Sequence, residues 1–296
     1  MWPFLVILAF LASATHGANL NRDILDGDYR IIGGQPFNGT NFVGYSISLR
    51  IVKFNYHVCG GALIASHWAL TAAHCGSATM LGPLQIVVGV LKLSDLGERY
   101  DVAKFIIHPL FNNATLLNDV GLIRTSTEVK FSQKVQPIQM APADFFIGPG
   151  IWLQLIGWGL TKYPDGKAPD HVNYIQLHSI TNAACQVRYK GTPVPKIHIS
   201  QLCTFNKAGQ GSCKGDSGGP LVSQGILMGI ISWGVPCGKG YPDVHTRIAY
   251  HRAWIDQTMA ESDKEEHEES LDFVIGPNEE RVDEVFGERY DGLSFL

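Results

Sequence analysis

Short runs of alternating or near-continuous apolar residues recur along most of this chain. Tyr45-Ser46-Ile47-Ser48-Leu49 alternates polar and apolar positions, and Leu84-Gln85-Ile86-Val87-Val88, Ile151-Trp152-Leu153-Gln154-Leu155 and Ile226 to Ser232 are denser versions of the same pattern. Turn-forming clusters such as Lys162-Tyr163-Pro164-Asp165-Gly166 separate them. Runs this short, with period two and bounded by Gly, Pro, Asn and Asp, predict strands, and many of them in succession predict an all-β sandwich or barrel. One segment differs: Ala249 to Met259, containing His251-Arg252-Ala253-Trp254-Ile255, has helical spacing. No internal repeat is legible from periodicity.

The two ends depart from this pattern. Residues 1–17 read as a secretory signal, with an apolar run from Phe4 to Ala12 and small residues at Ala14 and Gly17, although Lys and Arg are missing from its start. That run is too short to span a membrane, and no later stretch qualifies. Residues 18–30 form a short polar stretch ending in Arg30. Residues 261–296 hold 13 Asp or Glu against 3 Lys or Arg, a net of −10, so with −4 for the whole chain the remainder carries +6. Glu265-Glu266-His267-Glu268-Glu269 is a self-repelling run, and the extension is expected to be a disordered acidic tail. The competing reading is a docking or inhibitory segment for the basic body.

At 296 residues and 45% hydrophobic content, the chain can bury a core in one or two domains. Six cysteines, an even number with no CxxC pair, suit disulfides in an oxidising compartment rather than metal ligation. Sequence alone permits 15 connectivities. No basic stripe for nucleic acid is present.

Chemistry concentrates in three places. Gly215-Asp216-Ser217-Gly218-Gly219-Pro220 sets a serine among glycines. A serine hydroxyl is a poor nucleophile at neutral pH and needs both a base and donors for the oxyanion it creates. The glycines let the backbone turn so that the N–H groups of Gly215 and Ser217 can point at one place. Far upstream, Thr71-Ala72-Ala73-His74-Cys75 offers the base. Between them, Asn118-Asp119-Val120-Gly121-Leu122-Ile123 carries a lone carboxylate into an apolar run, which costs on the order of several kcal/mol unless the group is paired. His74 is its natural partner, because a carboxylate on one ring nitrogen leaves the other free to take the proton of Ser217.

In motif and in the order His, Asp, Ser, the chain from Ile31 to about Thr258 resembles the chymotrypsin-type serine peptidases. Ile31-Ile32-Gly33-Gly34, Cys59-Gly60-Gly61, Gly157-Trp158-Gly159 and Ser232-Trp233-Gly234 fall at fitting places. Within that family it is similar to the digestive chymotrypsins and serine collagenases of arthropods. The resemblance implies an all-β peptidase domain over 31–260, made of two six-stranded antiparallel β-barrels with the active site between them and a closing C-terminal helix.

It also implies His74, Asp119 and Ser217 as the catalytic triad and Gly215 with Ser217 as the oxyanion hole. The implied disulfides are Cys59–Cys75, Cys185–Cys203 and Cys213–Cys237. A further bridge common in vertebrate relatives would join the positions of Leu153 and Ser223, and both cysteines are absent together. Cleavage between Arg30 and Ile31 by a trypsin-like activator would create an α-amino group to pair with Asp216. The backbone of Ser232, Trp233 and Gly234 would bind an extended substrate as an added strand. The base of the primary pocket falls at Gly211, which carries no charge, while Asp243 stands where most relatives have glycine. A small base with a carboxylate on the side wall is the arrangement of serine collagenases, whose acceptance at P1 (the substrate residue before the cleaved bond) is broad. The alternative is an Asp243 that faces water.

The other histidines, His57, His67, His108, His171, His178, His198, His245 and His251, lack a matching carboxylate motif and read as surface or satisfied core. No HExxH motif argues for catalytic zinc, and Asp95 with Glu98 is too weak a pair for calcium, so no metal or cofactor is expected. Asn38-Gly39-Thr40 and Asn113-Ala114-Thr115 are glycosylation sequons. The reading is a secreted, monomeric serine endopeptidase made as a zymogen, with protein or peptide substrates and protein protease inhibitors as partners and with no nucleic-acid or membrane partner. The alternatives are a non-catalytic binding protein on the same fold and a regulatory protease of an extracellular cascade.

Overall fold

The computed structural model describes residues 31–38, 43–164, 166–235 and 237–275. The signal, the stretch ending in Arg30 and residues 276–296 lie outside the described residues. After an edge strand β1 (Gln35–Pro36) come β2 (Ser46–Ile51), β3 (Tyr56–Leu63), β4 (Trp68–Thr71), β5 (Leu84–Val88), β6 (Glu98–Ile107) and β7 (Gly121–Thr125). These six close into an antiparallel barrel in the order β2-β3-β4-β7-β6-β5. The period-two pattern explains the closure: Ile47, Leu49 and Ile51 of β2 point into a core shared with Leu70, Ile86, Leu122 and Ile123.

The second half supplies β8 (Gln139–Met140), β9 (Trp152–Gly157), β10 (Asn173–Ile180), β11 (Gln201–Thr204), β12 (Pro220–Ser223), β13 (Ile226–Gly234) and β14 (Asp243–Arg247). Six of them form a ring, β9-β10-β11-β14-β13-β12 and back to β9, again antiparallel. Strand β1 pairs with β10, and β8 lies parallel to β13. The fold is therefore the two-barrel architecture the resemblance implies. A short helix α1 (Asn182–Arg188) is capped by Thr181, whose side chain accepts from Ala184 N.

The closing helix α2 runs from Ile248 to Ile275, well past the expected boundary at 260. Ile248 and Ile255 join the core of the first barrel, with Trp254 and Met259 packed on it. The start of the acidic extension, expected to be disordered, is thus helical. Repulsion within its charge run is offset by groups that periodicity does not reveal. Asp263 accepts from Trp68 Nε1 at 3.2 Å and lies 3.5 Å from Arg124 Nε, Glu266 pairs with Arg124, and Glu265 meets Lys104 at 3.3 Å.

Candidate active site

His74 follows directly from the end of β4, and the Cys59–Cys75 disulfide ties the next residue to β3. Asp119 stands just before β7, which is paired with β4, so the two residues emerge from neighbouring strand ends. Asp119 is fully buried. Its Oδ1 accepts the His74 backbone N–H at 2.9 Å, and its Oδ2 lies 2.8 Å from His74 Nδ1. Ser232 of the second barrel also donates to Oδ2, and Thr246 donates to the Asp119 carbonyl at 2.7 Å. The carboxylate is therefore satisfied from both barrels. That arrangement meets the hydrogen-bonding needs of a buried carboxylate and fixes the His74 ring.

Ser217 reaches the same edge from the other barrel. Its carbonyl accepts from Gly60 N at 2.8 Å. Gly218, at φ +77°, packs so closely on β3 and β4 that a Cβ there would strike Thr71 Oγ1 and come within 2.6 Å of the Gly60 carbonyl. Only glycine permits this approach. The Ser217 hydroxyl is half-exposed and makes no side-chain hydrogen bond among the described residues, so its bond to His74 is not formed in this arrangement. Gaps of this kind in unliganded sites close on substrate binding.

Beside it, the Asp216 carboxylate is fully buried, accepting from Gly159 N at 2.8 Å and Cys213 N at 2.9 Å. A Cβ on Gly157 or Gly159 would strike this carboxylate, which explains the Gly-Trp-Gly motif physically. Burial pushes the Asp216 carboxyl up to about 7, against the pull of those two N–H groups. Ile31 is fully buried in the second barrel's core, and Ile32 accepts the Gly211 N–H at 3.0 Å. Arg30 lies outside the described residues.

A cavity of about 220 Å³ opens beside Ser217, lined by Ser212, Cys213, Lys214, Ile231, Ser232, Trp233, Gly234, Val235, Cys237 and Asp243. Gly211 is not among its walls. Asp243 is 5% exposed, and its two oxygens accept Ser212 N at 2.8 Å and Ser212 Oγ at 2.9 Å. The expected uncharged base at Gly211 and the expected side-wall carboxylate of Asp243 lie against each other. The carboxylate fills the room that the missing Gly211 side chain leaves. Burial pushes the Asp243 carboxyl up to about 7, with both Ser212 bonds pulling it down and Asp216 adding to the rise. Tyr189 braces this wall, bonding the Pro242 carbonyl and stacking on Tyr241 at 5.5 Å between ring centroids.

The three disulfides join Cys59–Cys75, Cys185–Cys203 and Cys213–Cys237, the pairs that the resemblance implies. His74 lies near the first, but both sulfurs are joined to each other, so no thiolate is offered to a metal. Asn38 and Asn113 are exposed. One residue with a place in the site carried no sequence signal. His57, read as surface or satisfied core, is half-buried and donates from Nε2 to the Gly215 carbonyl at 3.0 Å. Its partner stands 158 positions away, and no local motif links the two.

The trypsin family model matches residues 31–255. The chain is 37% identical over 215 residues to Chymotrypsin-2 of Vespa crabro, covering 73% of this chain and 94% of that protein. It is 34% identical over 260 residues to Serine protease 1 of Canis lupus familiaris, covering 85% and 98%. Trypsin II-P29 of Gallus gallus is 34% identical over 239 residues, covering 79% and 90%.

Proposed function

The chain belongs to the trypsin family of chymotrypsin-type serine peptidases and is a serine endopeptidase, and from that premise we propose that it is a secreted zymogen cleaving peptide bonds through an acyl-enzyme on Ser217. The observation that carries the mechanism is the double hold of Asp119 on His74, at the backbone N–H and at Nδ1. With Nδ1–H given to Asp119, Nε2 is the free base. It takes the Ser217 proton as Oγ attacks the carbonyl and later returns it to the leaving amine. Asp119 holds the ring and stabilises the imidazolium without taking the proton itself. The N–H groups of Gly215 and Ser217 receive the oxyanion, where fixed dipoles in a water-poor site act most strongly.

Ser232, Trp233 and Gly234 present the last part of β13 to an extended substrate. The cavity admits large apolar P1 side chains, and Asp243 at its end also accepts Lys or Arg, a broad acceptance between the chymotrypsin and trypsin patterns. Activation is cleavage after Arg30, which would free the amino group of Ile31 beside Asp216. Residues 1–17 direct export. In support, the chain holds three disulfides, and no helix among the described residues is long and apolar enough to cross a membrane. Protein protease inhibitors and a trypsin-like activator are the expected partners of a monomer. Nothing in the site favours a non-catalytic binding role, since all three triad side chains are present.

Labelling by an active-site fluorophosphonate, before and after limited trypsin treatment, tests the reading. Labelling of Ser217 should appear only in the cleaved protein, with Ile31 as its new N-terminus. Failure of the cleaved protein to label would overturn the reading.

A further inference from the structure

Strand β2 turns Ser46, Ser48 and Arg50 away from the barrel core, yet all three are buried. Arg50 is 1% exposed, and no ion pair is formed by it among the described residues. Among the described residues its Nη2 has no hydrogen-bond partner. Nη1 donates to Asn55 Oδ1 at 3.1 Å, and Nε donates to Ser48 Oγ at 3.0 Å. The Asp170 charge acts on Arg50 but makes no ion-pair contact with it. Taking a guanidinium out of water with no carboxylate in contact is costly, so its place in a barrel strand calls for a role beyond packing.

That role lies at the far end of the row. Ser48 Oγ stands 2.8 Å from His57 Nδ1, and His57 Nε2 stands 3.0 Å from the Gly215 carbonyl. The donor directions are forced. Arginine only donates, so Ser48 Oγ accepts from Nε. A carbonyl only accepts, so His57 carries its proton on Nε2. A neutral imidazole then offers a lone pair at Nδ1, and Ser48 directs its hydroxyl proton there. Burial keeps the ring neutral by lowering its pKa to about 4, and the Arg50 charge adds to that lowering against the pull of the Gly215 bond. The ring is also held edge to face against Trp158, 5.6 Å between centroids.

We infer that Arg50 is a positioning residue for the oxyanion site: through Ser48 and His57 it fixes the Gly215 carbonyl, and with it the turn that presents the Gly215 and Ser217 N–H groups. The inference rests on the oxyanion role proposed above for Gly215. Gly215, at φ +98°, has no side chain to hold its peptide, so the orientation of that peptide depends on bonds to its polar atoms. Consecutive donors polarise and align one another, which is how a distant guanidinium stiffens the last bond of the row.

The test uses the full-length, trypsin-activated protein and three variants. Arg50→Met removes the donor and keeps chain length. Arg50→Gln keeps a donor at the position of Nε. Ser48→Ala cuts the row one step later. The readouts are kcat and KM on a peptide amide with an apolar P1 residue, and the inhibition constant of a peptidyl boronic acid that forms a tetrahedral adduct on Ser217. All values are taken per site titrated by fluorophosphonate, so misfolded protein does not count. Arg50→Met should lower kcat and boronate affinity together, each about tenfold, with KM unchanged, the pattern of an interaction made only in the transition state. Arg50→Gln should recover most of the loss, and Ser48→Ala combined with Arg50→Met should be no worse than the poorer single variant. If Arg50→Met yields no titratable site, the Gln and Ala variants carry the comparison.

Wild-type boronate affinity in Arg50→Met and Ser48→Ala would overturn the inference. So would a Gln variant as poor as Met, or a loss confined to KM. An activated wild-type protein that takes no label on Ser217 would instead remove the peptidase reading itself.

Discussion

The Asp243 carboxylate occupies the space that a side chain on Gly211 would need: a Cβ built on Gly211 would lie 2.7 Å from Asp243 Oδ2. The two positions are therefore alternatives for one volume at the end of the substrate cavity. The acid reaching in from β14 also lies close to Gly234, where a Cβ would stand 3.2 Å from Oδ1.

Selectivity should follow from this geometry and from pH. Burial raises the Asp243 carboxyl to about 7. It is neutral in acid and ionises as pH rises through that value. Relative kcat/KM for Lys or Arg over Leu or Phe substrates should therefore rise between pH 6 and 8, a ratio in which effects common to all four substrates cancel. Asp243→Gly should cost basic substrates about 1.5–3 kcal/mol, the range for hydrogen bonds to charged groups, and leave apolar ones unchanged or improved. A parallel loss across all four substrates would assign Asp243 to loop support. The same raised pKa has a stability sign. Because the folded state holds this proton more tightly than the unfolded chain, the group's contribution is present below about 4 and fades as pH climbs toward 7.

Removing the nucleophile is the simplest check of the mechanism. Ser217→Ala should abolish turnover while the three disulfides and the fold survive, because the hydroxyl makes no side-chain bond among the described residues that folding would miss. In such triads about 10³–10⁴-fold acceleration over water persists without a triad member. Near-normal peptide hydrolysis by this variant would show that another group attacks.

The fold was legible in the sequence wherever burial on one face wrote a period of two. Leu84–Val88 coincides with its expected run, and the run at Ile226–Ser232 extends only to Gly234. His74, Asp119 and Ser217 were each marked as candidates by a short motif of their own. Two kinds of feature were not. Tertiary hydrogen bonds such as His57 to Gly215 join residues with no local signature. The continuation of α2 past 260 depends chiefly on Trp68 and Arg124, which lie in strands and not in the helix. Composition showed an excess of acid there, but not the cations that face it.

Activation should depend on Asp216. In the uncleaved chain its buried carboxyl has two backbone donors, Gly159 and Cys213, and is raised to about 7. Cleavage after Arg30 would supply a cationic amino group on Ile31, which is already buried, and the carboxylate would then be favoured. Arg30→Gln should resist activation by trypsin. Asp216→Asn should be cleaved normally but remain poorly active, because the new amino group lacks its partner. Full activity of the intact precursor in a fluorogenic peptide assay would contradict this switch.

Deleting residues 261–296 should lower stability more than it changes catalysis. Arg124 is only 6% exposed and stacks on Trp68, its centre 5.6 Å from the ring. Without Asp263 and Glu266 it would lose both carboxylate partners, and the Trp68 indole would lose its acceptor. The loss should be about 1–3 kcal/mol, set by that unpaired charge and discounted because both acids are partly exposed. The Lys104–Glu265 pair is solvent-exposed on both sides and should contribute little. Trp68 and Arg124 face each other at the ends of β4 and β7 opposite to those that lead to His74 and Asp119. Small-substrate kcat/KM should therefore stay within about twofold, under about 0.5 kcal/mol. Urea melts and kinetics on the truncated and full-length proteins decide the matter. Arg124→Met in the truncated chain should recover part of the lost stability by removing the stranded charge. If truncation instead raised activity, most of all at low salt, the acidic segment would be acting on the active site as an inhibitor, and the brace across the first barrel would not be its main role.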